Sequence, residues 1–223
     1  MYSSWSWRLS KPIRIADSFV RKALAKPSNP MRGRQVAGKD NYENYAAEYE
    51  KQRNTVFSHE IKFSIAVPLY NSDEQFLKEM ILSVMGQSYQ NWELCLLDAS
   101  DTQNEYVGTL CRNAAKLDTR ILYKKVEKNG GISGNTNAAI AMATGDYIAL
   151  LDHDDLLTSD ALFENAKAIN DHEAEVLYSD EIHLSESGEF VHPFYKPDWS
   201  PDLLFSHNYI CHFLVAKKDQ AAK

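Results

Sequence analysis

Residues 62–98 read KFSIAVPLYNSDEQFLKEMILSVMGQSYQNWELCLLD, and the spacing of their apolar positions sets the class of the fold. Phe63 to Pro68 reads as a first strand. Ser72 and Gln75 then stand at capping-box spacing, and Phe76, Leu77, Met80, Ile81, Val84 and Met85 recur on one helical face. A second apolar run, Glu93 to Asp98, follows. Short apolar runs alternating with helical segments are the mark of a parallel sheet covered on both faces, so the expected class is α/β.

The same alternation continues downstream. A helix with Tyr106, Val107, Leu110, Cys111, Ala114 and Leu117 inward precedes a third strand, Arg120 to Val126. Asn129-Gly130-Gly131 leads into a small-residue helix from about Ser133 to Ala143, and Tyr147 to Leu151 reads as a strong fourth strand. In open α/β sheets ligands sit beyond the carboxyl ends of the strands. Tyr70, Asn71, Asp98, Gly130, Gly131 and Asp152 are therefore expected around one crevice.

Asp152-His153-Asp154-Asp155 closes the fourth strand. Three carboxylates within four residues repel one another unless a cation or donors compensate. Hard oxygen ligands suit Mg²⁺ or Mn²⁺, ions that keep waters and bridge to substrate phosphates. An EF-hand register starting at Asp152 fails, because Leu157 falls where Gly is required and Phe163 where the bidentate Glu belongs. The glycines after Asn129 match neither a P-loop nor the dinucleotide fingerprint. The competing structural reading of the cluster is an acidic start to a helix Ala161 to Ile169, where negative charge is favourable.

The chain has 223 residues, 44% hydrophobic and 25% charged, which suits one globular domain plus an additional segment. Its net charge of -7 is uneven: residues 1–38 carry eight Lys/Arg against one acid, leaving the remainder at -14. An acidic body is a poor general partner for nucleic acid, and no nucleic-acid role is expected. Cys95, Cys111 and Cys211 lack metal or redox spacing and read as reduced core residues. No stretch has the length of a spanning helix, and no signal peptide is recognisable, so the expected location is the cytoplasm. Within Pro12 to Lys26 the residues Ile15, Phe19, Val20, Ala23 and Leu24 share a helical face opposite Arg14, Arg21, Lys22 and Lys26. That leader has the means for peripheral contact with the cytoplasmic membrane, a solvated linker helix being the other reading. Residues 1–58 are thus expected to form a basic helical leader, with a helix over Asp40 to Arg53, and residues 59–223 the domain proper.

Taken in order, Val67-Pro68-Leu69-Tyr70-Asn71, Gln87-Ser88-Tyr89 before Trp92-Glu93, Asp98, Asn129-Gly130-Gly131, Asn135 to Ala139, Ala143-Thr144-Gly145-Asp146-Tyr147 and Asp152-His153-Asp154 resemble family 2 of the inverting glycosyltransferases. The resemblance runs from about Phe63 to Val215. It implies the GT-A nucleotide-diphospho-sugar transferase fold, a mainly parallel, Rossmann-like sheet flanked by helices. It further implies a UDP- or dTDP-sugar donor, a divalent metal (Mn²⁺ or Mg²⁺) and a glycan or lipid-linked acceptor. By similarity Asp98 accepts from the base, and Pro68 and Tyr70 shape the nucleoside pocket. Asn71, Gly130, Gly131, Asn135, Asp152 and His153 belong to the donor side, and Asp154 with Asp152 holds the metal.

Tyr178-Ser179-Asp180-Glu181 and the later run from His192 to Asp202 resemble bacterial members that build O-antigen, capsule or rhamnose-containing polysaccharides. Asp198 and Trp199 stand as acceptor-side candidates, with packing as the alternative. His212 either approaches the metal or is a satisfied core residue. In the family an acidic residue opening a later helix serves as general base, and the chain reaches Lys223 before it. The base is therefore unassigned, with Asp180 and Glu181 the acidic candidates near a strand end. The rival functional class is a non-catalytic nucleotide-sugar-binding or scaffold module. A sugar nucleotidyltransferase is a lesser alternative, since the Gly-rich basic loop expected after the first strand is missing.

Overall fold

The computed structural model describes residues 39–185 and 190–221. The described residues begin with α1 (Lys39–Arg53), then β1 (Phe63–Leu69), α2 (Glu74–Met85), β2 (Trp92–Asp98), α3 (Glu105–Leu117), β3 (Ile121–Lys125), α4 (Gly131–Ile140) and β4 (Tyr147–Leu150). It continues through α5 (Ala161–His172), β5 (Val176–Tyr178), β6 (Glu181–Leu184), β7 (Phe190–Phe194), α6 (Pro201–Ser206), β8 (Leu214–Lys217) and α7 (Lys218–Ala221). The amphipathic leader over Pro12 to Lys26 lies outside the described residues.

Six strands form one sheet in the order β3-β2-β1-β4-β8-β5. The first four are parallel, in register from Phe63 opposite Trp92 to Leu69 opposite Asp98, and from Phe63 opposite Tyr147 to Ala66 opposite Leu150. β8 runs antiparallel between β4 and β5. The expected α/β class with a mainly parallel sheet flanked by helices is what the chain adopts. Alternation along β1 and β2 separates two core layers. Ile65, Val67, Leu94 and Leu96 belong to the larger, with Leu77, Ile81, Val107 and Leu162. Ala66 and Leu97 belong to the other, with Ala139, Ala143 and Ile148, and the small residues let α4 lie close to β1 and β2.

Three local expectations are corrected, the first being Tyr106, expected inward but 38% exposed with its hydroxyl donating to the Ser72 carbonyl at 2.6 Å. The N-cap of α2 is Asp73, whose Oδ1 accepts from the amides of Gln75 and Phe76, rather than Ser72, whose hydroxyl is buried without a hydrogen bond. Phe76 is 50% exposed instead of buried, because it lies one position off the stripe formed by Leu77, Met80, Ile81 and Val84. Among the cysteines, Cys95 and Cys111 are buried as expected, whereas Cys211 is exposed. It sits in a loop before β8, where the apolar neighbours Ile210 and Phe213 turn inward and it does not. No helix among the described residues is long and apolar enough to cross a membrane.

The end of the sheet opposite the carboxyl crevice is held by a buried carboxylate. Glu93, 5% exposed, accepts from the Ser64 hydroxyl at 2.6 Å and from the Thr144 amide and hydroxyl at 2.5 and 2.7 Å. It also pairs with the Lys62 ammonium at 2.6 Å. Burial alone would raise its pKa, but the hydrogen bonds from Lys62, Ser64 and Thr144 outweigh that and bring it down from 4.5 to about 2. A carboxyl with a depressed folded pKa stabilises the protein fully above its unfolded value, and that stability is lost as pH falls through the folded one. We expect a loss of up to about 3 kcal/mol between pH 5 and pH 2 from this group. Urea midpoints for the wild type and Glu93→Gln measured across that range check it: the variant's curve should be the flatter of the two.

Candidate functional site

The strand order reverses between β1 and β4, since β2 and β3 lie to one side of β1 and β4 to the other. At such a switch point the loops diverge and leave a crevice at the carboxyl edge. The ends of β1, β2 and β4 come together there.

On the β1 and β2 side, Asn71 has φ 52°, a left-handed conformation that Asn tolerates better than most residues. Its amide N–H donates to Ser100 Oγ at 2.9 Å and its Nδ2 to Asp101 Oδ2 at 2.8 Å. Its Oδ1 accepts from the Asp101 amide and from Asn104 Nδ2. Asn71 therefore braces the two loops together. Tyr70, 45% exposed, donates to Asp101 at 3.2 Å and leaves a ring face open beside half-buried Pro68.

Asp98 is 1% exposed and forms the hub of this side. Oδ1 accepts from the Ser100 amide at 2.8 Å and from Lys125 Nζ at 3.2 Å; Oδ2 accepts from the Tyr123 hydroxyl at 2.8 Å. Burial raises its pKa, yet these donors hold the carboxyl below its ordinary range, while burial and the Asp98 charge push Tyr123 up. Tyr123 reaches Asp98 because residue 108 is glycine: a Cβ there would stand 2.5 Å from the Tyr123 hydroxyl and 3.3 Å from Asp98 Oδ2.

The glycine loop is built by two asparagines. Asn129 Oδ1 accepts from the Gly131 amide and from Asn135 Nδ2, both at 2.8 Å, and Asn135 Oδ1 accepts from the Gly130 amide at 3.0 Å. Asn135 is 5% exposed and shapes the loop from beneath, while Gly130 and Gly131 face solvent. Gly131 has φ 71°, which glycine adopts without a Cβ penalty.

Across the crevice, Asp152, Asp155 and His212 present one ligand atom each within 4.8 Å of one another. His212 Nε2 lies 3.6 Å from Asp152 Oδ2, and its Nδ1 lies 3.5 Å from Asp155 Oδ2. Asp154, 57% exposed at its side chain, lies outside this trio, with Oδ1 3.9 Å from His153 Nδ1. That His153 nitrogen is buried without a hydrogen bond. Burial, with the charges of Asp154, Asp152 and Glu181, raises the Asp155 pKa, offset in part by His212. Ligands on opposite sides of an ion with bonds of about 2.0–2.6 Å stand about 4–5 Å apart, and two carboxylates with an imidazole are a donor set suited to Mn²⁺ or Mg²⁺. The residues fit a divalent cation, and His212, for which the sequence offered both a metal-side and a core reading, has a side chain 36% exposed beside Asp152 and Asp155.

The remaining candidates divide. Glu181 Oε2 lies 3.1 Å from Lys196 Nζ, and Asp180 Oδ1 accepts from the Lys196 amide at 2.8 Å. Both carboxylates thus face Lys196. Trp199 is 62% exposed and lines a small apolar groove with Pro201, Leu204 and Phe205; Asp198 is exposed beside it. Sequence reasoning missed Lys125, Tyr123 and Lys196. For Lys125 the usable signal is the parallel register that sets it opposite Asp98.

Residues 64–212 match the family described as Glycosyl transferase family 2. An uncharacterized protein of Sinorhizobium fredii, y4gI, is 41% identical over 219 residues, covering 92% of this chain and 24% of its own. The O-antigen biosynthesis protein RfbC of Myxococcus xanthus is 37% identical over 161 residues, covering 72% of this chain and 12% of its own. This chain therefore spans a quarter or less of either relative. Among solved structures, that of S. aureus TarS 1-349 in complex with UDP-GlcNAc is 29% identical, with a TM-score of 0.46, covering 53% of this chain and 34% of that one.

Proposed function

Because the chain belongs to glycosyl transferase family 2, we propose that its crevice binds a nucleotide-diphospho-sugar together with a divalent cation, and that it serves an inverting sugar transfer in bacterial surface polysaccharide synthesis. The observation that carries this reading is the convergence at one switch point of the Asp98 hub, the Gly130–Gly131 loop and the Asp152–Asp155–His212 trio. The likeness to an O-antigen biosynthesis protein supports the polysaccharide role.

In this reading the open face of Tyr70 and the edge of Pro68 receive the nucleoside. Asp98, held rigid by Tyr123, Lys125 and Ser100, supplies the acceptor edge that discriminates a uracil or thymine base. Gly130 and Gly131 let the backbone at the start of α4 come close to the diphosphate, since no side chain intervenes. Asp152, Asp155 and His212 hold the cation, and Asp152 also faces the ribose or sugar. When bound, the cation supplies positive charge to the departing diphosphate. The acceptor, a glycan or a lipid-linked glycan, approaches from the side of Asp198 and Trp199, where an exposed aromatic and a carboxylate suit a sugar.

Isothermal titration of UDP and dTDP with and without Mn²⁺ tests this. Binding that needs the ion is expected; equal binding in EDTA would remove the metal from the proposal, and no binding of either nucleotide would remove the donor. Donor binding without sugar transfer or donor hydrolysis would favour the non-catalytic module.

A further inference from the structure

The Lys196 side chain is 1% exposed, although burying an ammonium costs several kcal/mol unless it is fully partnered. Its partners are specific. Nζ donates to the carbonyl oxygens of Ile210 and His212, and the Glu181 carboxylate lies 3.1 Å away. Glu181 Oε2 takes no hydrogen bond despite that distance, so the pair is held by charge rather than by alignment.

The two carbonyls flank Cys211, whose φ of 41° places a non-glycine residue in the left-handed region. Such a residue costs on the order of 1–3 kcal/mol and persists where its surroundings dictate it. One ammonium gripping the carbonyls on both sides of Cys211 dictates that turn. The turn aims His212 at Asp152 and Asp155, at 3.6 and 3.5 Å. Neighbouring contacts fix the lysine in place: Tyr178 donates to the Pro197 carbonyl at 2.9 Å, the Lys196 amide to Asp180 at 2.8 Å, and the Ser200 amide to the Tyr209 hydroxyl at 3.0 Å. The Tyr178–Glu181 and Tyr195–Ser200 segments thus form one bracket around the loop that precedes β8.

We propose that Lys196 is a positioning residue for the cation site: its ammonium, neutralised by Glu181, fixes the 210–212 backbone so that His212 completes the trio with Asp152 and Asp155. This role rests on the metal reading above. Partners that orient a metal ligand without touching the ion typically contribute about 10–100-fold to metal affinity. Because Lys196→Met alone leaves the half-buried Glu181 without its counter-charge, the double variant Lys196→Met/Glu181→Gln is the decisive one.

In the 223-residue chain, titration calorimetry with Mn²⁺ alone should show the Kd raised by about 10–100-fold in the double variant. Hydrogen exchange over residues 208–213 should accelerate by about tenfold without any metal present. Leu77→Ala, a core change in α2 outside the bracket, should leave the Mn²⁺ Kd within about twofold, which separates positioning from general loss of stability. If the wild type takes up no Mn²⁺, the metal reading falls and this role with it. If the wild type binds and the double variant binds within about twofold with unchanged exchange, the role of Lys196 falls and the metal reading stands.

Discussion

His212→Ala and Asp152→Ala are each expected to weaken Mn²⁺ binding by more than about 100-fold, because each removes a direct ligand where loss of a mere supporting partner already costs about 10–100-fold. Mn²⁺-dependent UDP or dTDP affinity should fall with it, while unfolding midpoints stay close to wild type, since the two side chains are 36% and 56% exposed and surface changes cost little. The two remaining aspartates sharpen the test. The motif spacing nominates Asp154, whereas the folded chain places Asp155 beside His212. We expect Asp155→Ala to reduce Mn²⁺ affinity more than Asp154→Ala. The reverse order would return the ligand role to Asp154 and leave Asp155 as a charge that the cation merely offsets. Titration calorimetry of the four single variants decides between them.

Asp98→Ala should show the opposite balance, a large effect on folding as well as on the nucleotide. The substitution leaves the Tyr123 hydroxyl, the Ser100 amide and Lys125 without their shared acceptor in a site that is 1% exposed. We expect a loss of about 2–3 kcal/mol, below the 3–5 kcal/mol of a fully buried pair because Lys125 is 43% exposed and keeps water as a partner. UDP or dTDP binding should be lost beyond what the lower stability explains. Gly108→Ala separates the two effects, because its Cβ at 2.5 Å would displace the Tyr123 hydroxyl, whereas at 3.3 Å it asks of the Asp98 carboxylate only a shift of a few tenths of an ångström and keeps its charge. It should cost roughly 1 kcal/mol and weaken the nucleotide less than Asp98→Ala. Chemical denaturation combined with nucleotide titration checks both, and full nucleotide affinity in refolded Asp98→Ala would exclude Asp98 from the donor site.

Some of this was legible in the amino-acid order alone. The β1–α2–β2 unit could be read because each apolar run is local and keeps one period along its length, and the strands were placed to within a residue or two of Phe63–Leu69, Trp92–Asp98 and Tyr147–Leu150. Parallel strands of one sheet end on the same edge, so the placement of Asp98 and Asp152 on one edge, on either side of β1, followed from topology without any knowledge of contacts. The small residues of α4 were visible in the sequence, but their close packing on Ala66 and Leu97 was seen only in the folded chain.

Other features were beyond that reach. The shift of the α2 cap from Ser72 to Asp73 turns on a single residue's backbone angles, which two adjacent capping residues leave open. β8 and its antiparallel place between β4 and β5 depend on a long excursion from Tyr178 to Phe213 that has no period to read. It is that excursion which brings His212 to Asp152 and Asp155 and buries Lys196 against Ile210 and His212. The sequence by itself determined the α/β class, the sheet edge that carries the candidate site and the acidic cluster on it, because each of these is written in neighbours a few residues apart. Which side chains complete that cluster was decided only by the tertiary structure, because the partners are some sixty residues distant along the chain and meet through backbone turns that local propensity does not specify.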